Sequence, residues 1–182
     1  MSLNRKLHMI LIFLALIGSL NWGLIGAFKL NIVEKVFSTY SNLVYIIVGI
    51  SAILLITDRN IYLPFLGESV YPCALLKDKV PSNANVEVLI KVPPFAKVVY
   101  WAAEPENEEL DDLPNPMVAY HNYENSGVVT ADKKGLAVLK VRDPTEYTVY
   151  DDMVTLEKHV HYRYCTIKEP GMLSEIFTEY IE

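Results

Sequence analysis

LHMILIFLALIGSLNWGLIGAF, residues 7–28, holds one histidine, one asparagine and no Lys, Arg, Asp or Glu over 22 positions. A bilayer core takes about 20 apolar residues of helix. A charged side chain at its centre costs roughly 2.5–3.5 kcal/mol. The run is too long for the apolar stretch of a secretory signal peptide, and Lys29-Leu30-Asn31 is not a cleavage context. A second uncharged run, LVYIIVGISAILLI, covers residues 43–56 and reaches 18 positions when extended from Tyr40 to Thr57. Together they predict a transmembrane helical hairpin, with spans over 7–28 and 40–57 and a loop over 29–42.

Ala15, Ser19, Gly23 and Ala27 recur every four residues in the first span and share one helix face. Such a stripe lets helix backbones approach closely in lipid. Packing within the hairpin is the expected use, with self-association of the chain through the same stripe as the alternative. Asn21 sits mid-span beside Trp22 and needs a hydrogen-bond partner. With only Asn21 and His8 as polar groups, the spans offer no ion pathway.

The segments LIGSLNWGLIGAF (16–28), IVEKVF (32–37) and NLVYIIVGISAILL (42–55) carry a resemblance. They look like the small two-helix membrane family called domain of unknown function 378, over about residues 8–56. That resemblance implies the hairpin topology and no chemistry.

Residues 1–57 contain Arg5, Lys6, Lys29 and Lys35 against one acid, Glu34, whereas the whole chain has 22 Asp+Glu against 16 Lys+Arg. The acidic remainder argues against nucleic acid as a partner. Arg5, Lys6 and Arg59 flank the spans and Lys29 and Lys35 lie in the loop, which leans towards both termini being cytoplasmic. The two cysteines, Cys73 and Cys165, leave one bridge or two reduced thiols open, and reduced thiols fit a cytosol-facing domain.

Residues 58–83 read as a membrane-proximal linker in which Tyr62, Phe65 and Tyr71 could sit at the lipid interface. From residue 84 to 182 the pattern is that of strands. VEVLIKV (86–92) alternates and stops at Pro93-Pro94, and KVVYW (97–101) is rich in β-formers. EPENEELDDLPNP (104–116) reads as a solvated loop. Val128 to Thr130 and Leu136 to Val141 form a hairpin about Asp132-Lys133-Lys134-Gly135. Segments 147–150, 159–167 and 176–181 bring the total to about seven short strands, the pattern of an all-β sandwich. Tyr100, Tyr120, Tyr123, Tyr150, Tyr162 and Tyr164 would divide between its core and a contact surface.

His159-Val160-His161 puts two imidazoles on one face of a strand, a workable chelate for a metal. Tyr147 lies twelve residues upstream. Two histidines and a phenolate suit ferric iron.

These residues also carry a resemblance. Ser126-Gly127-Val128-Val129-Thr130-Ala131-Asp132 with Gly135, Pro144 with Tyr147, His159-Val160-His161-Tyr162, and Leu173, Phe177, Thr178 and Tyr180 follow in order. They resemble the catalytic β-sandwich of intradiol ring-cleaving dioxygenases, of transthyretin-like topology, and Val99-Tyr100-Trp101 resembles an earlier strand of it. In that family two tyrosines and two histidines hold Fe(III). The resemblance places Tyr147, His159 and His161 on three of the four positions. The fourth falls about eight residues after Trp101, where Glu109 stands. Tyr120 or Tyr123 could substitute, but neither matches by spacing. The family's arginine-rich signature before the first histidine is replaced by Leu156-Glu157-Lys158.

The expectation is therefore a hairpin-anchored structural protein rather than an enzyme, with no cofactor. Its partners would be the bilayer, membrane-associated proteins and a second copy of the chain. The combination is similar to minor capsid proteins that link an internal virion membrane to the capsid in large double-stranded DNA viruses. That resemblance implies a cytosol-facing β domain on the capsid side. The alternative is a membrane-tethered non-haem iron dioxygenase, or a metal-binding relic of one.

Overall fold

The computed structural model describes residues 5–58, 61, 63–106, 115–149 and 154–181, the side chain of Arg5 excepted. It divides into two units, Met1–Phe65 and Leu66–Glu182.

In the first unit, α1 (Arg5–Phe28), α2 (Ile32–Phe37) and α3 (Ser41–Ile56) follow in order, with a single 3-10 turn at Ser38–Tyr40. Lys6–Phe28 and Ile32–Ile56 are long and apolar enough to cross a membrane, at mean hydropathies of 2.1 and 2.0. Met9, Phe13, Leu20, Trp22 and Ile53 each leave more than 60% of their surface exposed. Helices apolar over most of their circumference belong in lipid. The chain is a membrane protein with transmembrane helices.

The close approach of α1 to α3 falls at Gly18, where a Cβ would collide with the Val48 side chain. Gly23 meets nothing within 4 Å. Lys29 ends α1 in the left-handed region at φ 56°. The exposed backbone N–H groups of α2 are then satisfied in full. Asn21 Oδ1 accepts from Ile32 N at 2.9 Å and Val33 N at 3.2 Å. Asn31, the N-cap, accepts from Glu34 N through its side chain at 3.1 Å, and its carbonyl accepts from Lys35 N at 3.2 Å. Asn21 Nδ2 and the Tyr45 hydroxyl both donate to Asn31 Oδ1, at 3.1 and 2.9 Å. The N–H groups of Ile32, Val33 and Glu34 are among those a helix start leaves without intrahelical partners, and Lys35 N makes the first intrahelical bond.

The second unit is β-rich, with every ladder antiparallel. Among the described residues its strands are β1 (Ser69–Val70), β2 (Val86–Lys91), β3 (Lys97–Ala102), β4 (Ser126–Thr130), β5 (Leu136–Val141), β6 (Tyr147–Val149), β7 (Val154–Leu156), β8 (His159–Cys165), β9 (Met172–Leu173) and β10 (Phe177–Tyr180). They pair as β10-β8-β3-β4, β2-β5, β6-β7 and β1-β9, and among the described residues no barrel closes. Ile90 of β2, Val98 and Tyr100 of β3, Leu139 and Val141 of β5 and Val160 of β8 meet in one buried core. Gly135, at φ 80°, closes the β4–β5 turn, in which Asp132 Oδ1 accepts from Lys134 N and Leu136 N.

Part of the expected linker, 58–83, belongs to this unit from Leu66 on. Ser69 and Val70 pair with Leu173 and Met172, and Cys73 N donates to Pro170 O at 3.0 Å. Phe65 is exposed, Tyr71 packs against the Cys73–Leu76 cluster, and Tyr62 lies outside the described residues. Cys73 and Cys165 form a disulfide with Cα atoms 6.1 Å apart, which corrects the reduced-thiol expectation. It closes a loop of sequence separation 92. In the chain-entropy picture such a loop is worth on the order of 4 kcal/mol. Tyr100 and Tyr162 are core residues and Tyr123 is exposed, while Tyr150 lies outside the described residues.

Asn21→Leu tests the loop of the hairpin. It leaves the N–H groups of Ile32 and Val33 without their acceptor, an expected loss of about 1–3 kcal/mol. The measurement is unfolding of the detergent-solubilised chain, with Trp22→Leu as the exposed control.

Candidate metal centre

Strand alternation puts His159 and His161 on one face of β8, opposite to Val160 and Tyr162 in the core. Their Nε2 atoms lie 3.2 Å apart. The chain brings two phenols to the same point. Tyr147 opens β6, and its Oη lies 3.1 Å from His159 Nε2. Tyr120 ends α4 (Pro116–Tyr120), and its Oη lies 2.8 Å from Tyr147 Oη and 3.3 Å from His159 Nε2. Tyr120, Tyr147 and His159 are each at most 5% exposed.

α4 is placed by local chemistry. Asn115 caps its start by accepting from Met117 N and Val118 N, and Pro116 occupies the first turn, where no N–H is needed. His121 stops it in the left-handed region at φ 42°. Glu104 N donates to Ala119 O at 2.7 Å, which holds α4 to the end of β3. Asn125, fully buried, donates to Ala103 O and Arg142 O and accepts from Arg142 N. The Arg142–Glu104 ion pair at 2.7 Å completes this brace.

The outer ring nitrogens are also engaged. His159 Nδ1 lies 2.6 Å from Glu157 O, and His161 Nδ1 lies 2.8 Å from Thr178 Oγ1. A carbonyl only accepts, so His159 carries its proton on Nδ1 and turns a bare Nε2 towards the two phenols. A ring nitrogen fixed from behind in this way is the usual outer partner of a metal-bound histidine.

Burial lowers the His159 pKa from its ordinary 6.5, against the smaller opposing effect of the Glu157 carbonyl. Burial raises both phenols. For Tyr120 the hydrogen bond with Tyr147 adds to the rise, and for Tyr147 it opposes it. Without a cation, burial therefore favours the neutral forms of Tyr120, Tyr147 and His159. The donor set of two hard oxygens and two imidazoles fits a ferric ion, whose charge would reverse the sign of both phenol shifts. Among the described residues no group of three or more His, Cys, Asp or Glu gathers, so the centre depends on the tyrosines.

The structure thus joins the three expected residues, Tyr147, His159 and His161, with Tyr120, one of the two substitutes named for the fourth position, while Tyr123 is exposed. Glu109, at the position suggested by spacing, lies outside the described residues. Lys158 pairs with Asp143 at 2.8 Å and is committed elsewhere. In the first unit, Ala15 and Ser19 line a groove of about 510 Å³ with Ile12, Leu16, Ala52 and Leu55. Trp22, Gly23 and Ala27 face outward, and Asn21 is 4% exposed within its network. His8 Nδ1 meets Asp58 Oδ2 at 3.0 Å.

Residues 5–58 match the family described as a domain of unknown function, DUF378, in agreement with the resemblance drawn from the NWGL segment. No curated protein matches the chain.

His159 generates a pH prediction for the metal-free chain. Its folded pKa lies below 6.5, so as pH falls the unfolded chain binds the proton first. Stability is fully present above about pH 6.5 and declines as pH drops towards the folded value. The urea midpoint should fall as pH drops below about 6.5, and His159→Asn should flatten that part of the profile.

Proposed function

We propose that the β unit is a ferric site of the intradiol dioxygenase type, acting on aromatic diols beside the bilayer to which the hairpin anchors it. The observation that carries this reading is the convergence of Tyr120 Oη, Tyr147 Oη, His159 Nε2 and His161 Nε2, with His159 Nε2 within 3.3 Å of the other three. These four side chains would hold the ion. Bound there, Fe(III) supplies Lewis acidity towards the diol oxygens. Tyr120 and Tyr147 contribute the negative charge, His159 and His161 stay neutral, and burial of three of the four keeps bulk water away. The β10-β8-β3-β4 sheet facing β2-β5 across one core supports a sandwich of that type.

The purified full chain should contain about one iron per chain and show a visible tyrosinate-to-iron band. Tyr120→Phe and Tyr147→Phe should each shift or abolish the band, and catechol should be opened between its hydroxyls in the presence of O2. A colourless, metal-free, folded chain overturns the reading. It would favour the structural anchor that docks the β unit to a capsid or other protein shell, which uses none of the four candidate ligand atoms.

The side of the membrane is proposed with it. Disulfides persist in oxidising compartments, and the Cys73–Cys165 bridge supports an exterior or luminal β unit, with Lys29 and Lys35 of the loop on the cytoplasmic side. This reverses the orientation inferred from the flanking charges. A C-terminal alkaline phosphatase fusion, active only after export, should be active. An inactive fusion beside a fluorescent cytosolic reporter at the same position returns the β unit to the cytosol.

A further inference from the structure

We propose that Thr178 is a positioning residue whose hydroxyl reverses its hydrogen bond to His161 between the metal-free and metal-bound states; this role rests on the ferric reading above. The two histidines are backed by different chemistry. Glu157 offers His159 a carbonyl, which accepts only and locks one tautomer. Thr178 offers His161 a hydroxyl, which donates or accepts. It is placed there by register, since Thr178 of β10 lies directly opposite His161 of β8.

The locked tautomer of His159 dictates what His161 does. His159 Nε2 is a bare lone pair, and His161 Nε2 faces it at 3.2 Å. Two bare nitrogens at that distance repel, so in the metal-free chain His161 carries its proton on Nε2 and donates it to His159. Its Nδ1 is then an acceptor, and the Thr178 hydroxyl donates to it across 2.8 Å. For His161 to ligate, Nε2 must lose that proton. The imidazole regains one at Nδ1 by exchange with water, and Nδ1–H donates to Thr178 Oγ1 after the hydroxyl rotates. The proton lost from Nε2 is replaced at Nδ1, so the exchange balances. A carbonyl or an amine behind His161 would satisfy one of the two states and oppose the other.

The test uses the full chain in detergent, metal-free and loaded with Ga(III), a diamagnetic stand-in for Fe(III). Nitrogen NMR of the His161 ring should show the proton on Nε2 without metal and on Nδ1 with gallium. Chelator competition should show Thr178→Val binding Fe(III) roughly tenfold to hundredfold more weakly, the usual cost of losing such an outer partner. Thr178→Ser should restore binding. Thermal unfolding of the metal-free variants separates this from loss of fold. Thr178→Val binding iron as tightly as the unaltered chain, or His161 bearing its proton on Nδ1 or on both nitrogens without metal, overturns the role of Thr178 and leaves the ferric reading standing. An unaltered chain that takes neither iron nor gallium sinks the ferric reading instead, while the metal-free tautomer is still measured.

Discussion

The β unit depends on the pairing of β8 with a strand on each side, β3 along six residues and β10 along four. Because side chains alternate, that register sends Val160, Tyr162 and Tyr164 into the apolar core and His159, His161, Arg163 and Cys165 to the opposite face. A slip of one residue would exchange the two sets, burying imidazoles in the core and turning the core residues out. The same register sets Thr178 behind His161 and Tyr180 beside His159, whose rings lie 5.8 Å apart. At its far end β8 is tied through Cys165 to Cys73, in the segment that pairs β1 with β9. One strand therefore carries core, candidate ligands and covalent tie.

What the sequence made legible follows from short periods. The i, i+2 spacing of His159 and His161 survives any tertiary arrangement that keeps a strand, and the uncharged 7–28 run reads as a span without reference to its neighbours. Tyr120 was legible only as one of two substitutes, beside Tyr123, because it reaches the cluster from a five-residue helix aimed by Asn115 and Glu104, and no spacing rule counts through such a detour. The Cys73–Cys165 pair spans 92 residues and is set by two-residue strands too short to register as a pattern. The four-residue period of Ala15, Ser19, Gly23 and Ala27 defines a face without saying what meets it. The close contact within the hairpin is made by Gly18, one position off that stripe.

Both units satisfy polar groups internally, with different consequences. In the hairpin, Asn21 and Asn31 meet the backbone donors of α2, and that network is spent on structure. A polar group in lipid without such a partner is costly, which is reason enough for an asparagine at the middle of an apolar span. In the β unit, Asn125 and the Arg142–Glu104 ion pair likewise serve structure, although Arg142 Nε is buried without a hydrogen-bond partner. The Tyr/His cluster is different. Three oxygen or nitrogen atoms crowd one nitrogen that has a single lone pair to offer, so its hydrogen bonds do not exhaust its capacity.

That excess capacity bears on which cation the proposed site would select. Burial raises the pKa of Tyr120 and of Tyr147, so ionising both phenols in place is expensive. A monovalent or weakly acidic divalent ion returns too little Coulomb energy to offset two buried phenolates, whereas a compact trivalent ion returns it through two short oxygen contacts. The neutral His159 adds affinity without adding charge, because burial disfavours its imidazolium form. Two phenolates against three positive charges leave a net charge of +1, and a diol that binds as a dianion would more than cancel it. The burial that favours neutral Tyr120, Tyr147 and His159 without metal is thus also what would make the loaded site selective for a hard, highly charged cation and receptive to an anionic oxygen ligand.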